Sequence, residues 1–136
     1  MVEPIVVHDA ARAEAAGTSV ARILRGGRAG LLVSPEESAT GGSADVLAGL
    51  RAAALTALAR VRPAALVLVG GETAHHVLDG LGHPPLRIEA RLASLVVRSR
   101  LMSGAYAGLA VVTKGGSTGA PDLLGQIARQ LGRGAR

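Results

Sequence analysis

The sequence predicts an α/β fold: a mostly parallel sheet with helices on both faces, in a single three-layer domain. Three observations carry that prediction. Short apolar runs without polar alternation, the mark of strands buried on both faces, are separated by helix-length amphipathic stretches. Two of those runs, residues 65–69 and 109–113, break into glycine pairs that lead toward helices. The chain has 136 residues and no cysteine, which fits one domain over residues 1–136 whose core needs no disulfide.

Taken in order, residues 5–8 form a first short strand. Residues 11–24 follow as a helix, with Ala13, Ala16, Val20, Ile23 and Leu24 at helical spacing and Gly26-Gly27 as its stop. Residues 30–33 are a second strand, and residues 34–43, with Pro35 and Gly41-Gly42, a loop. Ser43 is the expected N-cap of a helix reaching Arg60, with Val46, Leu47, Leu50, Ala54, Leu58 and Val61 on its apolar face and Pro63 ending it. Residues 65–69 are the most complete strand, and Gly70-Gly71 leads from it into a helix over residues 73–81. This order implies right-handed crossovers.

Beyond Gly82 and Pro84-Pro85 the texture changes. Residues 86–97 give short strand-like pieces, and turns fall at Ser103-Gly104 and Ala107-Gly108. Residues 109–113 form the last strand. Pro121 suits the first turn of a helix reaching residue 131, with Leu123, Leu124, Ile127 and Leu131 inward.

Composition narrows the function. Hydrophobic residues make up 49% of the chain, yet no apolar run approaches the roughly 18 to 20 residues that span a bilayer, so no membrane partner is expected. No secretory signal is read at the N-terminus, and the lack of cysteine fits a reducing compartment, so a cytoplasmic location is expected. Tyr106 is the only aromatic residue, which removes the stacking platforms used by most readers of single strands and RNA. The net charge of +5 comes largely from arginines scattered along the chain. Without a dense basic run they read as solvated helix faces, and nucleic acid is not the expected partner.

The two glycine loops carry the chemistry. Residues 111–119 read Val-Val-Thr-Lys-Gly-Gly-Ser-Thr-Gly and hold Lys114, the only lysine beside fourteen arginines. Glycine backbone approaches a ligand closely, and a lysine reaches phosphate as a flexible point charge where arginine brings a rigid fork. The plainer alternative is an ordinary turn with Lys114 solvated. In an open parallel sheet both loops belong at the carboxyl edge, where ligands bind, and amides at a helix N-terminus favour an anion. Glu72 and Thr73 read either as first-turn cap residues or, functionally, as Thr73 near phosphate with Glu72 positioning metal or loop. His75 and His76 occupy adjacent helical positions and point apart, so no shared metal site is expected.

With both loops in view, LVLVGGETA at residues 66–74 and VVTKGGSTGAPDLL at residues 111–124 resemble the C-terminal nucleotide-binding domain of the four-carbon acid sugar kinases, the threonate and erythronate kinase family. That family has GG(D/E)T after one strand, an EI-x-PGV segment, and TK-x-GG-x-G after a later strand. By position, Gly70, Gly71, Glu72 and Thr73 match the first motif, and Thr113, Lys114, Gly115, Gly116 and Gly119 the second. The resemblance implies binding of ATP or ADP with Mg²⁺ and, in a complete enzyme, transfer of the γ-phosphoryl to a hydroxyl of a sugar acid. Amides, one lysine and Mg²⁺ would be an adequate nucleotide half-site.

Three departures qualify it. The PGV segment falls on Ser94, Leu95 and Val96, and the preceding EI on Arg91-Leu92. Thr118 replaces a bulky residue before the last glycine of the second motif. The family's larger N-terminal domain, which binds the sugar acid and carries the catalytic base, is missing, as is the strand that opens the nucleotide domain. The chain is then a fragment, a split subunit or a degenerate paralogue. The expected partners are a sugar-acid-binding domain or subunit and, through an exposed edge or apolar face, a second copy. A non-catalytic phosphate-binding interaction protein is the alternative function.

Overall fold

The computed structural model describes residues 4–35, 42–115 and 122–134. They belong to two compact units, Met1–Arg62 and Pro63–Arg136.

The first unit opens with β1 (Pro4–Val6), a 3-10 turn (Ala10–Arg12) and α1 (Ala13–Arg25), followed by β2 (Leu31–Val33) and α2 (Gly42–Arg60). β1 pairs with β2 in parallel from Pro4↔Leu31 to Val6↔Val33, and the Val7 N–H extends the ladder to the Val33 carbonyl at 2.8 Å. Asp9 starts the turn by accepting the Arg12 N–H on Oδ1 at 3.3 Å. The core cluster is small-residue: Val7, Ala13, Ala16 and Ala53 are buried, with Ile5, Leu32, Leu50 and Ala52 against them. The apolar face of α2 is thus turned from expectation toward alanine. Ala53 and Ala57 are buried with Ala54 and Leu58, while Val46, Leu47 and Leu50 are only half-buried. The cause is close helix packing at Gly17, where an added Cβ would stand 2.5 Å from the Ala53 carbonyl oxygen.

The second unit runs β3 (Ala65–Val69), α3 (Gly71–Gly80), β4 (Leu86–Ala93), β5 (Val96–Leu101), β6 (Ala110–Lys114) and α4 (Leu123–Gly134). Its four strands lie in the order β3-β6-β5-β4. β3 and β6 are parallel, whereas β5 is antiparallel to both β6 and β4. The expected single, mostly parallel sheet is therefore corrected to a parallel pair in one unit and a mixed sheet in the other. The reason is connection length: β4 and β5 are separated only by Ser94 and Leu95, and a link that short can join only antiparallel strands. Residues 86–97, expected as broken pieces, form most of this hairpin.

Burial also shifts from β3 to β6. β3 stands at one end of the sheet order and exposes Val69, whereas Val111 and Val112 on β6 are both fully buried. α4 packs Ile127 against Val96 and Val112, with Leu123, Leu131 and Val67 around them. Leu124 was expected inward but is 41% exposed, because Leu123, Ile127 and Leu131 repeat at four-residue spacing and leave Leu124 off their stripe. The helix start at Pro121 lies outside the described residues. No helix among the described residues is long and apolar enough to cross a membrane.

Candidate functional site

The parallel pairing of β3 with β6 places the carboxyl ends of both strands at one sheet edge, with Val69 opposite Lys114. Immediately beyond that pair, the Gly70 N–H donates to the Lys114 carbonyl at 2.9 Å. Gly70 takes φ 92° and ψ 139°, a left-handed turn suited to glycine, and its carbonyl accepts the Ala74 N–H at 3.0 Å to begin α3. As N-cap, Gly70 has no side chain with which to cap the helix. The first-turn amides of Gly71, Glu72 and Thr73 therefore lie at an end that is uncapped by Gly70 and favours an anion. A Cβ placed on Gly71 would meet nothing within 4 Å, so this mouth has room.

A third segment joins the two loops. β6 pairs on its other side with β5, Lys114 opposite Val96, and the Gly115 N–H donates to the Leu95 carbonyl at 3.0 Å. Gly70, Lys114-Gly115 and Leu95 are thus linked by two backbone hydrogen bonds around the end of β6. Leu95 holds φ 60°, the conformation preferred by glycine, at the position where the resembled motif has its glycine. Its side chain is 61% exposed and lies against Gly115, where an added Cβ would sit 3.3 Å from the Leu95 Cβ. Val96, the last residue of that segment, is fully buried in the core of the sheet, while Ser94 is exposed. Thr113 is half-buried between Leu68 and Val97. Gly116 and Gly119 lie outside the described residues.

Lys114 is not the solvated lysine of the plainer alternative. It is 9% exposed, and its Nζ donates to the Gly115 carbonyl at 3.3 Å. A buried ammonium needs such acceptors, because desolvation without them is costly. On α3, the His76 Nδ1 bonds the Glu72 carbonyl at 2.9 Å; since a carbonyl only accepts, Nδ1 carries the proton. His83 Nε2 lies 2.7 Å from Asp79 Oδ1. Among the described residues no group of three or more His, Cys, Asp or Glu could hold a metal ion.

One constellation, on the β4–β5 hairpin, lies outside the residues that the sequence motifs single out. Glu89 receives Arg100 Nε on both carboxylate oxygens at 3.2 Å, with Arg98 Nε and Arg87 Nη2 each at 3.8 Å. The hydrogen bond from Arg100, aided by the three nearby positive charges, holds the Glu89 carboxyl below its ordinary range despite partial desolvation. The signal was present in the two-residue spacings Arg87-Glu89-Arg91 and Arg98-Arg100, which need a hairpin assignment to be read. In the first unit, an open concavity of about 510 Å³ lies along Ala11, Glu14, Ala15, Thr18, Ser19 and Arg22. It follows one helix surface and contains neither glycine loop.

The family described as a nucleotide-binding C-terminal domain matches residues 3–124. No curated protein matches the chain. Among solved structures, a DUF1537 protein of Bordetella bronchiseptica, a domain of unknown function crystallised as a domain-swapped dimer with bound citrate, is 26% identical with a TM-score of 0.69, covering 94% of this chain and 41% of its own. A second crystal form of it gives a TM-score of 0.65 over 96% of this chain and 39% of that one. A Salmonella typhimurium LT2 protein provisionally called a tRNA synthase is 17% identical with a TM-score of 0.70, covering 95% of this chain and 34% of its own; it shows the fold alone. The chain thus spans about two fifths of the Bordetella protein's length. With the match running through both glycine motifs, as their resemblance implied, the chain belongs to the nucleotide-binding C-terminal domain family.

Proposed function

We propose that this chain is the ATP-binding portion of a kinase that phosphorylates a four-carbon sugar acid of the threonate or erythronate type, and that it is inactive alone. The observation that carries the reading is the hydrogen-bonded convergence of Gly70, Lys114-Gly115 and Leu95 around the end of β6. ATP phosphates would lie against the first-turn amides of α3 and the glycine backbone after Lys114, with the ammonium as counter-charge. Gly70, Gly71, Glu72, Thr73, Ser94, Leu95, Thr113, Lys114, Gly115, Gly116 and Gly119 would line or support the site, and Val96 would hold the turn from the core. Mg²⁺ fits as an ion arriving with the phosphates, since such sites usually take few protein ligands; Glu72, exposed in the first turn of α3, is the carboxylate nearest in sequence to the loop.

A separate sugar-acid-binding domain or subunit would hold the acid whose hydroxyl accepts the γ-phosphoryl and would supply the base that takes its proton, leaving ADP and the phosphorylated acid. The domain-swapped dimer of the Bordetella protein supports a homodimer for this chain as well. Calorimetry with ATP, ADP and Mg²⁺ tests the nucleotide site directly. Binding at micromolar to millimolar nucleotide is expected, and Lys114→Met, which keeps the stem and removes the charge, should weaken it by about tenfold or more. Absence of binding at millimolar nucleotide by the folded chain overturns the proposal. The replacement of the motif's Pro-Gly by Ser94-Leu95 favours a second reading, a non-catalytic nucleotide- or phosphate-binding interaction protein. In that case adding a sugar-acid-binding domain in trans yields no phosphorylation although ATP still binds.

A further inference from the structure

β4 closes one end of the sheet order, and Leu86, Arg87, Ile88 and Glu89 along it are all exposed. Ile88 is 73% exposed and Leu86 37%. A terminal strand carrying bare apolar side chains is a template for pairing unless something protects it. The charge pattern names the partner. Around Ile88 the sequence reads Leu86-Arg87-Ile88-Glu89-Ala90. If two copies of this strand run antiparallel about a two-fold axis at Ile88, each Arg87 faces the Glu89 of the other copy, Leu86 faces Ala90, and Ile88 faces Ile88. Any pairing displaced to centre on Glu89 instead sets Arg87 against Arg91 and Glu89 against Glu89, which repel.

The backbone phase agrees. The Met102 N–H donates to the Pro85 carbonyl at 2.9 Å, so the polar backbone groups of Pro85 and, two residues on, Arg87 turn toward β5. Those of Leu86 and Ile88 turn outward, as a hydrogen-bonded pair at Ile88 requires. The register shift between Ile88 and Ala90 ends the regular ladder there and keeps the paired segment short.

We propose that β4 is a self-complementary edge through which two copies of this chain pair antiparallel about Ile88. The proposal rests on the homodimer reading above and is independent of the nucleotide site. A contact this short lies well below the area of a stable interface, so dissociation on the order of 100 µM is expected. Sedimentation of the whole chain from about 10 µM to 1 mM should show a rising dimer fraction. Ile88→Lys puts two like charges on the axis and should lower the association constant by at least about tenfold.

Because the chain has no cysteine, one added thiol reports position. Facing residues of a hydrogen-bonded antiparallel pair have Cα atoms about 5.5 Å apart, within disulfide reach. Ile88→Cys should therefore oxidise to a covalent dimer, and Met102→Cys, also exposed but off the axis, should cross-link at least about tenfold more slowly at equal concentration. If the wild-type chain stays monomeric to 1 mM, both the homodimer and the strand pairing are overturned. If it dimerises but Ile88→Lys has no effect and the two cysteine variants cross-link alike, the dimer stands and this interface is overturned.

Discussion

A methyl group added to Gly17 in the first unit would meet the Ala53 carbonyl oxygen at 2.5 Å and the Thr56 Cβ at 2.6 Å, whereas one added to Gly71 in the second would meet nothing within 4 Å. Gly49 resembles Gly17, with the Asp9 carbonyl at 2.8 Å and Val7 Cγ1 at 2.9 Å. Gly70 resembles Gly71, its nearest neighbour being Thr73 Oγ1 at 4.0 Å. At Gly17 and Gly49 glycine lets backbones touch, so that a core of alanine and valine can close. At the β3–α3 junction glycine leaves space. Glycines that look alike in sequence thus separate by what surrounds them, and the Gly70-Gly71 pair at the candidate site is among those with room.

The largest predicted effect follows from this contrast. Gly17→Ala gains about 1 kcal/mol of helix propensity, but the added carbon meets a backbone carbonyl that cannot rotate away. Overpacking of this kind costs about 1 to 3 kcal/mol, so a net loss of up to about 2 kcal/mol is expected in urea unfolding. Gly71→Ala should leave stability within about 0.5 kcal/mol and weaken ATP binding about tenfold by projecting into the mouth where phosphate would lie. If Gly17→Ala is tolerated, α1 and α2 pack less closely than described. If Gly71→Ala leaves both stability and binding unchanged, the room beside it is not for a ligand.

The same contrast explains what the sequence could reveal. Residues 65–69 coincide with β3, and the glycine loop after them was legible because a run of branched apolar residues ending in Gly-Gly leaves little alternative. That this loop and Lys114 would share an edge was also legible, since the loop follows one strand of the sheet and Lys114 stands at the carboxyl end of another. The partner of β3 was not. Parallel pairing with β6 rather than with a preceding strand is a long-range choice, invisible to periodicity. The hairpin of β4 and β5 was obscured because the exposed end strand breaks alternation at two register shifts and puts Ile88 in solvent. On α2 the largest apolar residues stand out in the sequence, while close packing selects the smallest.

Leu95 stands between the two uses of glycine: its backbone has the left-handed shape at φ 60°, yet the residue carries a side chain. That conformation costs a non-glycine residue about 1 to 2 kcal/mol. Leu95→Gly removes the strain and gives back about 0.5 to 1 kcal/mol through the freer unfolded chain. A net gain of about 0.5 kcal/mol is therefore expected in denaturant unfolding. A loss larger than about 1 kcal/mol would instead mean that the Leu95 side chain supports the turn through its contact with Gly115, and would move Leu95 from strained substitute to structural clamp.

The smallest effect concerns charge. The first unit spends Arg25 on the Arg60 carbonyl at 2.8 Å and sets Arg60 3.8 Å from Glu14. The second gathers Arg87, Arg98 and Arg100 around Glu89. The folded Glu89 carboxyl is held below its ordinary range. Its contribution is therefore fully present above the unfolded value of about 4.3 and is lost as pH falls through the lowered folded value. Glu89→Gln should be slightly less stable than wild type at neutral pH and indistinguishable from it in strong acid. Because the arginines at this site are partly exposed, the difference should also shrink as salt rises toward 1 M. Unfolding of both proteins across that pH range, at low and high salt, measures this directly. A difference that persists in acid would mean that Glu89 acts through hydrogen bonds a glutamine cannot reproduce. The hairpin would then be held by geometry, as the glycine contacts hold the first unit, rather than by charge.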